Sequence, residues 1–161
     1  MGMAIRRISR RALWEASMTG EVFQGEDEPQ GALDLTGVTI LLVEDLDDLR
    51  RAVASLLRDY GATVLEAASC SEAMELTFAG TEFQVLLTDQ ELEDELSGAD
   101  LAIHICHRRP GLRVMLLSRY VDGVLLGRMQ PGWRALSKRA KQVELAAAIG
   151  PGLAKAALAG R

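Results

Sequence analysis

The stretch Phe83-Gln-Val-Leu-Leu-Thr-Asp89 decides the fold, because its apolar run ends abruptly in a carboxylate. A short apolar run between polar turns is typical of a strand that is buried in a parallel sheet. Asp89 would then lie at the carboxyl end of this strand, the edge where ligands bind in open α/β sheets. Taken alone, Asp89 could equally begin an ordinary turn. The rest of the chain decides between these two interpretations.

Four further apolar runs predict strands, and segments with helical spacing separate them. The predicted strands are Val38–Val43, Thr63–Ala67, Arg113–Leu117 and Arg134–Ser137, and the predicted helices are about 47–60, 70–79, 98–107, 120–128 and 141–149. Strands that alternate with helices imply a parallel sheet with right-handed crossovers. We therefore expect an α/β fold, a doubly wound parallel sheet of five strands and five helices.

Polar side chains of complementary chemistry follow four of the predicted strands. They are Glu44 and Asp45 after the first strand, Asp89 on the third, Ser118 after the fourth and Lys138 after the fifth. Because the carboxyl ends of parallel strands share one edge of the sheet, we expect these side chains to lie close together. Each residue alone could be a helix cap, a turn residue or a surface lysine. Their shared edge favours a single site.

The chemistry of this predicted edge indicates phosphoryl transfer. Three neighbouring carboxylates repel one another and raise at least one pKa, and a divalent cation removes that conflict. Ligands that are all oxygen suit Mg²⁺. A hydroxyl and an ammonium group suit a transferred phosphoryl group. A carboxylate nucleophile that attacks a phosphoryl donor forms an acyl phosphate.

The composition excludes several classes of protein. A length of 161 residues with 48% hydrophobic residues suits one well-filled domain with an appendage. The net charge of −5 argues against direct nucleic-acid binding. No apolar run approaches the ~18 residues that cross a membrane. Cys70 and Cys106 lack metal-like spacing and fit a reducing compartment. We therefore expect a cytoplasmic protein without membrane contact.

Residues 1–36 differ in charge from the rest of the chain. A predicted basic helix over residues 1–20 precedes an acidic linker over 21–36, and the basic side chains of that helix are Arg6, Arg7, Arg10 and Arg11. These arginines could form a solvated face, or a docking or self-association helix that also covers Trp14. We expect two regions, the appendage 1–36 and a domain over 37–161.

The domain resembles the receiver domain of response regulators in two-component signalling. The matching stretches are Ile40-Leu-Leu-Val-Glu-Asp45, Leu86-Leu-Thr-Asp89, Ser97-Gly-Ala-Asp-Leu101, Val114-Met-Leu-Leu-Ser118 and Leu136-Ser-Lys138. The resemblance covers about residues 38–150, and the loop between Asp89 and Gly98 is similar to that of receivers on hybrid sensor kinases. It implies a flavodoxin-like (βα)5 fold with strand order 2-1-3-4-5.

The resemblance also implies a role for each site residue. Asp89 would accept a phosphoryl group from a sensor histidine kinase or a histidine phosphotransferase. Ser118 would bond the phosphoryl oxygens, Lys138 would pair with their charge, and Mg²⁺ would be bound by Glu44, Asp45, Asp89 and the backbone carbonyl of Glu91. The transfer is self-catalysed, so the protein would not be an enzyme in the usual sense. It would signal by repacking the fourth helix and fifth strand toward protein partners, with a homodimer as one option.

Three positions depart from the usual receiver pattern. Arg139 follows Lys138 where receivers usually have a proline with a cis bond, and a non-proline cis bond costs ~3 kcal/mol. We therefore expect a trans bond and a differently aimed Lys138. Ala135 stands where an aromatic switch residue is usual, and Glu93 stands where a proline is usual. These departures concern the output of the domain more than its phosphorylation chemistry.

Two other functions compete with the phosphoacceptor. One is a receiver-like binding module that works independently of phosphorylation. The other is a small phosphatase that uses Asp89, which fits poorly because Glu91 replaces the aspartate of the usual Asp-x-Asp arrangement. His104 and His107 share a helix face, but no third ligand accompanies them, so no metal site is expected there.

Overall fold

Five strands alternate with five helices in a computed structural model that describes residues 34–140 and 142–149. The strands are β1 (Thr39–Val43), β2 (Thr63–Ala67), β3 (Val85–Asp89), β4 (Arg113–Ser118) and β5 (Arg134–Ser137). The helices are α1 (Asp47–Asp59), α2 (Cys70–Phe78), α3 (Gly98–Arg108), α4 (Gly123–Arg128) and α5 (Gln142–Ile149). The predicted basic helix, the linker up to residue 33 and the segment from residue 150 lie outside the described residues.

All strand pairs are parallel, and the strand order is β2-β1-β3-β4-β5. This is the predicted doubly wound, flavodoxin-like fold, and the prediction is confirmed. β3 lies at the centre of the sheet and all five of its residues are buried, as expected for a strand that is covered on both faces.

The register of the strands brings the predicted site residues together. Val43 of β1 lies opposite Thr88 of β3, so Glu44 and Asp89 follow side by side. Ser118 of β4 lies opposite Ser137 of β5, and Lys138 is the next residue. The polar residues after the apolar runs therefore gather at one edge because the pairing is parallel and the strands end in register.

Alternate residues of the strands point to two hydrophobic layers, one on each face of the sheet. One layer packs β1, β3 and β4 against α1 and α5, and it includes Ile40, Leu42, Val53, Leu57, Leu87, Met115 and Leu145. The other packs the same strands against α2, α3 and α4, and it includes Leu41, Leu86, Leu101, Ile105, Leu116 and Leu125. Each fully buried leucine contributes about 2 kcal/mol of hydrophobic stabilisation. Leu35, which the sequence assigns to the linker, also belongs to the first layer and is fully buried.

Side-chain caps fix where several helices begin. Ser69 accepts a hydrogen bond from the backbone N–H of Glu72 at the start of α2, and Ser97 with Asp100 forms a capping box at the start of α3. α4 begins at Gly123, later than the predicted residue 120, because the side chain of Asp122 accepts from Leu125 N–H and caps the helix there.

The carboxyl end of α5 is held by two arginines from the amino ends of strands. The guanidinium of Arg113 donates to the carbonyl of Ile149 at 3.0 Å, and that of Arg134 donates to the carbonyl of Ala148 at 3.3 Å. Cationic groups at a helix carboxyl end are favoured by the helix dipole. The last turn of α5 is therefore fixed at the amino edge of the sheet.

Among the residues that the structure describes, no helix has the length and apolar character that crossing a bilayer requires.

Candidate functional site

Three carboxylates meet at the carboxyl edge of the sheet. Glu44 and Asp45 follow β1, Asp89 ends β3, and one oxygen from each of the three lies within 4.8 Å of the others. The side chains of Glu44 and Asp89 are only 2% exposed, whereas Asp45 is half-buried. Carboxylates this close and this well shielded from water require a cation or a proton.

Lys138 supplies one cation to this group. Its Nζ lies 2.6 Å from Oδ2 of Asp89 and 3.5 Å from Oε2 of Glu44. The backbone N–H of Lys138 donates to the carbonyl of Ser118 at 2.8 Å, which fixes the start of the side chain beside β4. No peptide bond in the described residues is cis, so the bond to Arg139 is trans as expected. From this trans backbone the side chain of Lys138 reaches the proposed acceptor.

One positive charge does not balance three negative ones, and the pKa values reflect this. Burial, with the neighbouring charge of Asp89 second, raises the pKa of Glu44 from 4.5 to about 7. Burial also raises the pKa of Asp89, against the opposing effect of the Lys138 hydrogen bond. The pKa of Asp45 is lowered, because hydrogen bonds, first that from Glu93 N–H, outweigh its partial burial. The edge therefore has an excess of negative charge that a further cation would balance.

Ser118 is also at this edge, but its hydroxyl is already engaged. The side chain of Ser118 is buried, and its Oγ–H has two acceptors within reach, the carboxylate of Glu91 and the carbonyl of Tyr120 at 2.9 Å. The second oxygen of the Glu91 carboxylate accepts from Arg119 N–H at 3.3 Å. The backbone N–H of Glu91 donates to Oδ1 of Asp89 at 2.9 Å. Glu91 thus joins Asp89 to Ser118.

The resemblance assigns only the backbone carbonyl of Glu91 to the site, and the side chain of Glu91 is not predicted to take part. The one feature of the sequence that could have indicated this side chain is the position of Glu91, two residues after the proposed acceptor and on the same acidic loop. The direction of that side chain depends on the fold of the loop, which sequence periodicity does not reveal.

The loop between β3 and α3 is fixed to its neighbours by polar contacts. The backbone N–H of Glu93 donates to Oδ2 of Asp45 at 2.9 Å. Asp94 accepts from the backbone N–H of Cys70, also at 2.9 Å, which connects the loop to the start of α2. Glu93, which stands where proline is usual, thus provides a backbone donor that a proline lacks.

Gly98 brings the start of α3 against the acceptor strand. A Cβ at this position would lie 2.1 Å from the backbone oxygen of Asp89. No side chain fits at that distance, and the obstacle is backbone rather than a movable side chain. The sequence contains this glycine in a motif, but the close approach that requires it is visible only in the structure.

The histidines of α3 do not form a second ligand cluster. Nδ1 of His104 makes a hydrogen bond with the carbonyl of Asp100 at 2.8 Å. Within residues 34–140 and 142–149, the carboxylates of Glu44, Asp45 and Asp89 are the one group of three or more potential metal ligands. In the described residues, His104 and His107 are exposed on the surface of α3 and belong to no cluster of potential metal ligands.

Comparisons with known proteins agree with this arrangement. The model of the response regulator receiver domain matches residues 40–150. The chain is 33% identical over 99 residues to the sensor kinase CckA of Brucella abortus (strain 2308), a match of 60% of this chain. It spans about a tenth of the length of that kinase.

Two solved structures share the fold. A receiver domain protein from Clostridium thermocellum has 26% identity and a TM-score of 0.66, with 76% of this chain and 98% of that one covered. The receiver domain of the hybrid histidine kinase CckA has 28% identity and a TM-score of 0.58, with coverage of 74% and 98%. With its fold, its acidic edge and a family match over most of its length, the chain belongs to the response regulator receiver domains of two-component systems.

Proposed function

We propose that the protein is a phosphoacceptor in a two-component phosphorelay, with Asp89 as the residue that receives the phosphoryl group. The observation that carries the proposal is the contact of the Lys138 ammonium with Asp89 at 2.6 Å, beside two further carboxylates. A carboxylate nucleophile, a paired cation and an acidic cluster form a set that phosphoryl transfer requires. The donor would be a phosphohistidine on a sensor histidine kinase or a histidine phosphotransferase.

The transfer breaks one bond and forms one. An oxygen of Asp89 attacks phosphorus, the P–N bond of the phosphohistidine breaks, and its electron pair stays on the imidazole nitrogen. The product is an acyl phosphate on Asp89. Lys138 stays beside the reacting carboxylate and balances the charge of the phosphoryl oxygens. Because the chain itself is modified and no separate substrate turns over, the protein is not an enzyme under this proposal.

The acidic edge has the donor set that suits Mg²⁺, namely oxygen ligands with excess negative charge. Glu44, Asp45 and Asp89 would hold the ion, together with the backbone carbonyl of Glu91. When bound, the ion supplies positive charge next to the phosphoryl oxygens. The pKa of Glu44, which burial raises first and the charge of Asp89 second, supports this assignment, because a bound cation would stabilise the ionised carboxylate.

Signalling would proceed through protein partners, with the homodimer as one option and without direct nucleic-acid contact. The match to a sensor kinase supports a kinase or phosphotransferase as the donor. The two free cysteines, Cys70 and Cys106, support a reducing compartment such as the cytoplasm.

Acetyl phosphate with Mg²⁺ tests this function. We expect intact-mass spectra to contain a single labile phosphoryl adduct, which is absent in Asp89→Asn and after addition of a chelator. Asp48→Asn is the matched control, because Asp48 is exposed on α1 and lies outside the acidic cluster. A wild-type protein without the adduct, or an adduct that persists in Asp89→Asn, would contradict the proposal.

A second candidate is a receiver-like binding module that works independently of phosphorylation. The observation that favours it is the hydroxyl of Ser118, which already bonds the Glu91 carboxylate. A module of this kind would bind its partner equally well with and without acetyl phosphate. It would also show the same gel-filtration volume with and without Mg²⁺ and beryllofluoride.

A further inference from the structure

The side chain of Glu91 occupies two hydrogen-bond donors at the edge where the proposed phosphoryl group would lie. Its carboxylate accepts from the backbone N–H of Arg119 at 3.3 Å and from the hydroxyl of Ser118, for which the carbonyl of Tyr120 at 2.9 Å is the other acceptor within reach. The backbone N–H of Glu91 also bonds Oδ1 of Asp89 at 2.9 Å. One residue therefore contacts both the proposed acceptor and the two donors at the end of β4.

We propose that the Glu91 carboxylate is an internal substitute for the phosphoryl group. When Asp89 is phosphorylated, the Glu91 carboxylate must release the Ser118 hydroxyl and the Arg119 N–H. This inference rests on the phosphoacceptor function proposed above. Glu91 is a positioning residue under this proposal, since it acts through Ser118 and Arg119 and not on the reacting atoms.

The competition follows first from the chemistry of the two anions. A carboxylate and a phosphoryl group are both anions with oxygen acceptors, and both form strong hydrogen bonds with hydroxyl and amide donors. Ser118 has one hydroxyl hydrogen and Arg119 one backbone hydrogen. Neither donor can serve both anions fully, and two anions side by side repel each other. Binding of one therefore opposes binding of the other.

The position of the side chain allows such an exchange. Glu91 is exposed to solvent, whereas Ser118 is buried. The Glu91 carboxylate can therefore move into water while the hydroxyl stays in place. Under this proposal the group that moves on phosphorylation is the Glu91 side chain, and the loop between β3 and α3 presents one more free negative charge afterwards.

Beryllofluoride affinity tests the competition without the complication of acyl phosphate hydrolysis. The full chain is titrated with beryllofluoride at saturating Mg²⁺ by calorimetry, as wild type, Glu91→Gln, Glu91→Asp and Glu93→Gln. Aspartate keeps the charge but is shorter by one carbon–carbon bond of about 1.5 Å, so it loses the contact with Ser118. Glu93→Gln removes one exposed charge from the same loop, and the carboxylate of Glu93 lies outside the acidic cluster.

We expect Glu91→Gln and Glu91→Asp both to bind beryllofluoride about three- to tenfold more tightly than the wild type, because a competing charge-assisted hydrogen bond is lost. Glu93→Gln should stay within about twofold of the wild type, because exposed charges are screened by solvent and salt. Urea unfolding without ligand checks that the four proteins fold alike.

Each other result has a distinct meaning. If Glu91→Asp binds like the wild type and only Glu91→Gln binds more tightly, the effect is charge alone and the competition for donors is refuted. Equal affinity of all four proteins also refutes it. Failure of every protein to bind, the wild type included, overturns the phosphoacceptor function on which this inference rests.

Discussion

Replacing Glu44 with glutamine should change how the stability of the protein depends on pH. Burial and the charge of Asp89 raise the pKa of Glu44 from 4.5 to about 7. Folding therefore takes up a proton at Glu44 between these two pH values. The stabilising contribution of that proton is fully present below pH 4.5 and is lost as the pH rises through 7. Glu44→Gln keeps the shape of the side chain and removes this titration.

The expected size follows from the interval between the two pKa values. Each pH unit of that interval corresponds to about 1.36 kcal/mol, so the full effect is about 3 kcal/mol above pH 7. The side chain is only 2% exposed, so solvent screening reduces the effect little. Between pH 5 and pH 8, the wild type should lose about 2–3 kcal/mol of unfolding free energy relative to Glu44→Gln.

Urea unfolding in the presence of a chelator measures this difference at pH 5, 6, 7 and 8. Glu95→Gln is the control, because Glu95 is an exposed glutamate on the loop before α3. Saturating Mg²⁺ should remove most of the loss in the wild type, since a bound cation stabilises the ionised carboxylate. If wild type and Glu44→Gln give parallel pH profiles, Glu44 has an ordinary pKa and the reasoning is wrong.

Two further substitutions test the geometry of the site. Gly98→Ala should lower the unfolding free energy by about 2 kcal/mol or more, since its Cβ would lie 2.1 Å from the Asp89 carbonyl. Gly127→Ala in α4 should instead raise the unfolding free energy by about 0.5–1 kcal/mol, because a Cβ there meets no atom within 4 Å. A lower unfolding free energy in both variants would contradict this reasoning. Lys138→Met should lower the unfolding free energy by about 3 kcal/mol at pH 8 without Mg²⁺, because it leaves buried carboxylates without their cation. The loss should be smaller at pH 5, because Glu44 is protonated there. Equal losses at both pH values would show that the buried charges are not the cause.

The fold and the membership of the acidic edge can be predicted from sequence because both depend on simple periodicity. An apolar run such as β3 indicates a buried strand, and parallel pairing then brings the residues after each strand to one edge. Glu44, Asp89 and Lys138 meet for this reason. Their functional roles remain predictions, because proximity does not show chemistry.

Other features depend on tertiary contacts that no local pattern contains. The contact of Glu91 with Ser118 requires the loop after β3 to turn its side chain toward β4. The need for glycine at position 98 arises from the distance between α3 and the backbone of Asp89. The late start of α4, by contrast, follows from a local contact, the cap of the helix by Asp122. At Glu91 and Gly98, three-dimensional packing and not the local sequence decides what the residue contacts.

The two ends of the described chain lie at the same edge of the sheet, and two arginines fix one of them. Arg113 and Arg134 bond the carbonyls of Ile149 and Ala148 at the amino edge of the sheet. The other end of the described chain enters at that same edge, where Leu35 bonds the carbonyl of Tyr60 before β1 begins. Both points of attachment therefore lie across the molecule from Asp89. Under the proposed function, a phosphoryl donor would therefore reach Asp89 from the side of the sheet opposite to both points of attachment.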